Sequence, residues 1–102
     1  MSAAAAVATP TATPFPKLDE AVQRVKAGYR PAEKALVNLL QDSKCRMRVA
    51  AAEAIRDLKL KSAKDALADL KEKGGPDDRE RVLFLGCNSR EAAGEALAEL
   101  ED

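Results

Sequence analysis

The sequence predicts an all-α fold, a short right-handed α-solenoid of about six helices, and three observations carry that expectation. The first is the stretch Asp42 to Leu58, where Met47, Ala50, Ala51, Ala54, Ile55 and Leu58 fall at the i, i+3, i+4, i+7, i+8, i+11 spacing of one buried helical face. Half of that face is alanine, so a neighbouring helix can approach closely. The second is repetition. Ala32, Ala35, Leu36 and Leu39 recur as Ala63, Ala66, Leu67 and Leu70 at an offset of 31, and again as Ala93, Ala96, Leu97 and Leu100 at a further 30. A helical period near 30 residues marks a stacked array. The third is composition. Alanine and leucine dominate, Trp is absent, and Phe15, Tyr29 and Phe84 are the only aromatic residues, as suits closely packed helices.

In chain order, residues 1–16 read as an Ala/Thr/Pro-rich tail, and residues 17–102 as the repeat domain. The tail carries three prolines and no charged side chain. It lacks the basic start of a secretory signal and is too short and broken to span a membrane. It reads as a flexible or extended segment with polyproline II character near Pro14 and Pro16, in which Phe15 is the one side chain suited to anchoring in a groove. Lys17 to Ala27 follows as a helix with Leu18, Ala21, Val22 and Val25 inward and Gly28 as its stop. Pro31 suits the first position of the next helix, roughly Pro31 to Gln41. The central helix is expected from about Cys45 to Leu58. After the first helix of the next repeat, Gly74-Gly75-Pro76 is a strong breaker, and a further helix is expected from about Asp77 to Cys87, capped by Asp77 or Asp78. The last helix, Glu91 to Asp102, is acidic enough to close the stack.

At Asp42, Met47-Arg48, Ala50-Ala51 and the closing pair Ile55 and Leu58, the chain resembles a HEAT repeat of the short kind found in phycobilin lyase subunits. The resemblance extends over Pro31 to Asp102; at Asp77 to Cys87 it fades, with Arg81-Val82 in reversed order. It implies helical hairpins whose second helices line a concave binding surface. It also implies that Asp42 and Arg48 are structural, forming a ladder between neighbouring repeats.

Formal net charge is zero but unevenly spread: Lys44 to Lys64 carries +5 and Arg90 to Asp102 carries −4. A neutral whole argues against a dedicated nucleic-acid binder and fits charge complementarity between copies or an anionic partner at the middle. Cys45 and Cys87 have neither a disulfide framework around them nor zinc-ligand spacing, and the chain has no histidine, so two reduced thiols in a cytoplasmic protein are expected. No phosphate loop, serine elbow or metal cluster appears, and neither a catalytic role nor a cofactor is expected.

The expected function is a protein–protein interaction module, an adaptor or accessory subunit. Arg46, Val49, Glu53 and Arg56 share the exposed side of the central helix, and as a second helix of the array it would face a partner; an ordinary solvated face is the plainer alternative. Val82-Leu83-Phe84-Leu85 cannot all point inward from a helix, because consecutive residues turn by about 100°. Phe84 is therefore a candidate contact, or else a core residue sandwiched between layers. With Phe15 these make the candidate partner-binding set. A second copy of the chain is an alternative occupant. Two other functional classes remain: a bilin-handling accessory, by the family likeness, and nucleic-acid backbone binding through Lys44, Arg46, Arg48, Arg56, Lys59, Lys61 and Lys64.

Overall fold

A computed structural model describes residues 15–82 and 85–101. Residues 1–14 of the expected 1–16 tail lie outside the described residues, as does Phe84, while Phe15 and Pro16 belong to the start of the first helix. The described chain is mostly helical, with five α-helices among the described residues: α1 (Pro16–Lys26), α2 (Pro31–Asn38), α3 (Cys45–Leu58), α4 (Lys64–Lys73) and α5 (Ser89–Leu100). Short 3-10 turns extend α2 through Leu39–Gln41 and lead into α4 at Lys61–Ala63.

The helix ends follow local chemistry. Pro16 and Pro31 sit at the first positions of α1 and α2, where a missing N–H costs nothing. Gly28, at φ +91°, closes α1: its N–H donates to the Val25 carbonyl while Tyr29 N–H reaches back to Arg24. These paired bonds satisfy carbonyls that the helix end would leave open. The end of α3 uses the same device with Lys59 in the left-handed position, φ +55°, and Leu60 N–H returning to the Ile55 carbonyl.

The repeated alanine and leucine positions are where the elements meet. Ala32, Ala63 and Ala93 are all buried, as are Leu36 and Leu67, and Leu70 and Leu100. Leu18, Leu40, Ala51 and Ile55 join them in one continuous core. Helix α3 is the centre of it. Met47, Ala51 and Ile55 are buried along one side, and Cys45, Arg48 and Ala52 along a second. A helix buried on two sides must have neighbours on both, and α5 packs against both α3 and α4.

One expected helix is absent. Asp77 to Cys87 forms no helix; Arg79–Val82 (β1) and Leu85–Cys87 (β2) instead pair as antiparallel strands. Arg79 lies opposite Cys87 and Val82 opposite Leu85, with an irregular register between them. The expected six-helix count is corrected accordingly. The physical reason is that a short apolar run such as Val82 to Leu85 suits a strand as well as a helix, and periodicity cannot separate them. Gly86, at φ +90°, excludes a helix running through to Cys87 but would be an ordinary stop for a shorter one, so it does not by itself separate helix from strand.

Candidate functional site

Two features built on α3 define the region: a buried ionic junction at its first turn, and a groove on the outer side of that same turn.

The junction begins with two unpaired helix starts. Each helix N-terminus leaves backbone N–H groups without partners and carries roughly half a positive charge. The starts of α3 and α5 lie together, and adjacent aspartates serve both. Asp77 Oδ2 accepts from Cys45 N–H at 2.9 Å, and Asp78 Oδ1 from Ser89 N–H at 3.1 Å. Asn88 completes the cap of α5 by accepting from Glu91 N–H at 3.1 Å.

Between the aspartates lies Arg48, with only 1% of its surface exposed. Its Nη2 donates to Asp77 Oδ1 at 2.7 Å and Asp78 Oδ1 at 2.9 Å, Nη1 to the Asp42 carbonyl at 2.8 Å, and Nε to Ser89 Oγ at 3.1 Å. Ser89 Oγ in turn donates to Asp78 Oδ1 at 2.5 Å. One guanidinium and two helix starts thus face two carboxylates, and the charges nearly balance. No buried side-chain nitrogen or oxygen among the described residues lacks a partner.

The titration directions follow from these contacts. The Cys45 backbone N–H, then the Arg48 guanidinium, hold the Asp77 carboxyl below the usual range. Burial pushes Asp78 up, but bonds from Ser89 and Arg48 outweigh it and leave the carboxyl lowered. Burial likewise opposes the charge on Arg48, and the two aspartates more than compensate.

The expected structural role of Arg48 therefore holds, with a correction to its partner. The carboxylates that meet it belong to Asp77 and Asp78, in the turn after α4, while Asp42 offers only its carbonyl. The Asp42 side chain instead accepts from Lys44 N–H at 2.9 Å. Arg48 thus ties the turn after α2 to the turn after α4.

Cys45 and Cys87 form a disulfide with a Cα–Cα distance of 6.2 Å, fastening β2 to the start of α3. This overturns the expectation of two reduced thiols. Their separation of 42 residues hides the proximity, which arises only because the hairpin folds back to α3. The Cys45 sulfur and the two aspartates come within 4.8 Å of one another. That sulfur is already bonded to Cys87 and both carboxylates are bound by Arg48, so the cluster does not suit a metal ion.

Outside the junction, α3 and α5 line a groove of about 390 Å³. Both helices start at the junction, and each contributes residues from its first turns to the groove. Arg46, Val49, Ala50 and Glu53 line it from α3, and Glu91, Ala92 and Glu95 from α5. Gly86, Cys87 and Asn88 border the end near the junction, and Phe15 also lines it. Val49, Ala50, Ala92 and Phe15 are half-buried, whereas Arg46, Glu53, Glu91 and Glu95 are exposed. An apolar floor with a charged rim is the anatomy of a contact surface.

Of the six residues expected at a partner surface, Phe15, Arg46, Val49 and Glu53 converge on this groove. Arg56 does not line it; its guanidinium donates to Asp57 at 3.2 Å. Phe84 lies outside the described residues. The α5 wall, Glu91, Ala92 and Glu95, was missed, because the last helix reads from sequence as a polar cap. Its signal is visible in retrospect: two glutamates one turn apart with an alanine between them. Among the basic residues considered for nucleic acid, Arg48 is buried and engaged by both aspartates, and so is unavailable to a phosphate.

No family model, curated protein or solved structure matches the chain. No helix among the described residues is long and apolar enough to cross a membrane.

Proposed function

We propose that this chain is a small helical-repeat interaction module, of the short HEAT-like kind, that holds a segment of another protein in the groove between α3 and α5. The observation that carries the reading is convergence: Arg46, Val49 and Glu53 from one helical stripe, together with Phe15, line a single groove with an apolar floor and charged rim. The mechanism is rigid presentation. The ionic junction and the disulfide fix the first turns of both walls against the hairpin, so little ordering cost falls on the protein when it binds. The recurrence of buried Ala32, Ala63 and Ala93 supports a stacked array, in which α3 is a second helix and its outer stripe faces the partner.

The disulfide bears on where such a module works. Structural disulfides persist in oxidising surroundings and are rare in the cytosol. The cytoplasmic expectation rested on reduced thiols and loses that support, and the reading now favours an oxidising compartment.

The test is affinity capture of the tagged, oxidised protein from its native extract, with and without nuclease, alongside Val49→Glu. Val49 is half-buried at the groove floor, and a carboxylate there opposes apolar contact. One dominant protein, retained after nuclease and lost with Val49→Glu at unchanged melting temperature, is the expected result. Recovery that depends on nucleic acid would overturn the reading.

A further inference from the structure

The groove's charge suggests what chemistry it accepts. Three carboxylates, Glu53, Glu91 and Glu95, stand on its rim against one guanidinium, Arg46. Among the described residues none of the three carboxylates forms an ion pair. The rim acids are also arranged in space. Glu91 and Glu95 are one turn apart on α5, about 6 Å along its axis. Glu53 lies on the facing wall, two turns beyond Arg46. Between them the floor offers Val49, Ala50, Ala92 and Phe15. Strand addition at the hairpin is disfavoured on this side, because Gly86 at φ +90° breaks the extended edge of β2. A trough between two helical walls suits a third helix, laid in by its apolar face.

We propose that the occupant is a cationic amphipathic helix, carrying one large apolar side chain flanked a turn away by lysine or arginine. This rests on the protein-binding reading and names the partner's chemistry. The apolar side chain seats over Val49 and Ala92, and the flanking cations meet Glu91, Glu95 and Glu53. Arg46 sits at the end nearest the junction, where it suits the carbonyl-rich C-terminus of the incoming helix. The occupant would then run opposite to α3, with its dipole antiparallel to that of α3.

The test is selection of peptides from a random displayed library on the intact, oxidised chain, with parallel selections on Val49→Glu and on the double variant Glu91→Lys/Glu95→Lys. Both glutamates are exposed, so the double variant is expected to fold. The expected result is enrichment of sequences with Lys or Arg one turn either side of Leu, Ile or Phe. They should be lost on Val49→Glu and weakened roughly tenfold or more by the double variant, with binding that falls as salt rises. Enrichment of acidic or neutral peptides that still depend on Val49 would overturn the cationic assignment and leave the groove reading standing. Peptides indifferent to Val49→Glu, or none at all, would overturn both. A chain that sediments as a dimer, and becomes a monomer with Val49→Glu, would assign the groove to a second copy and likewise overturn the proposal.

Discussion

Arg48 is the residue on which the most separate contacts depend. Its guanidinium bonds Asp77, Asp78, Ser89 and the Asp42 carbonyl, all from outside its own helix. Removing it leaves two carboxylates facing each other beside a buried hydroxyl. Breaking a fully buried pair typically costs about 3–5 kcal/mol; Asp77 is half-exposed and water can reach it, so the cost here falls below that range. Arg48→Ala should therefore lower the urea midpoint sharply, and Arg48→Lys should recover only part, because an ammonium lacks the planar fork that reaches several acceptors. Gly75 is tied to the same group. A Cβ there would fall on the Arg48 guanidinium. Gly75→Ala should cost about 1–3 kcal/mol by overpacking, measured the same way, and much of that cost should disappear in an Arg48→Ala background. The junction also sets an acid limit. Asp77 and Asp78 both titrate below the usual aspartate value, so the unfolded chain takes up their protons more readily than the folded one. Their stabilisation is full above the unfolded value of about 3.9 and is lost as pH falls from there through the folded values. Thermal melts should hold steady down to about pH 4 and then fall, and Asp77→Asn/Asp78→Asn should flatten that fall while lowering stability at neutral pH.

At the level of elements, the hairpin is the part of the chain least like its surroundings. It stands where a helix was expected, and it places Asp77 and Asp78 at two helix starts and Cys87 against Cys45. The disulfide closes a long loop, and removing such a bond typically costs about 2–5 kcal/mol. Cys45→Ala/Cys87→Ala should show a loss of that size in urea, and wild-type protein under reductant should move to the same midpoint. If reduction left the midpoint unchanged, the hairpin would owe nothing to the bond. The bounds of α3 were legible from residues 45–58 because its alanine spacing runs over four turns and no competing breaker interrupts it. The hairpin was not legible. Four apolar residues are too few to reveal a period, and the information that decides the matter is tertiary: two helix starts needing carboxylates, and a cysteine waiting at one of them. Asp77 and Asp78 were recognised as caps from their type, but the helices they cap are α3 and α5, which only the folded chain brings to them.

On the scale of the whole molecule, the order of charge along the chain matters less than where folding puts it. The +5 middle and the −4 end are separated by 25 residues in sequence, yet α3 and α5 pack side by side. Folding hides Arg48 from the basic middle and sets Glu91 and Glu95 opposite Arg46 and Glu53. A site that reads as positive from α3 alone thereby becomes net negative. One wall of the groove was visible in the α3 stripe because periodicity reports which side of a helix is exposed. The other wall was not, because periodicity does not report which helix stands across from it. Binding through this groove is most directly tested by mapping backbone amide shifts of the isotope-labelled, oxidised protein as the captured partner is added. Shifts concentrated at residues 46–53 and 86–95 are the expected result. Shifts concentrated instead around Tyr29, or along Lys59, Lys61 and Lys64, with the groove residues unmoved, would contradict it.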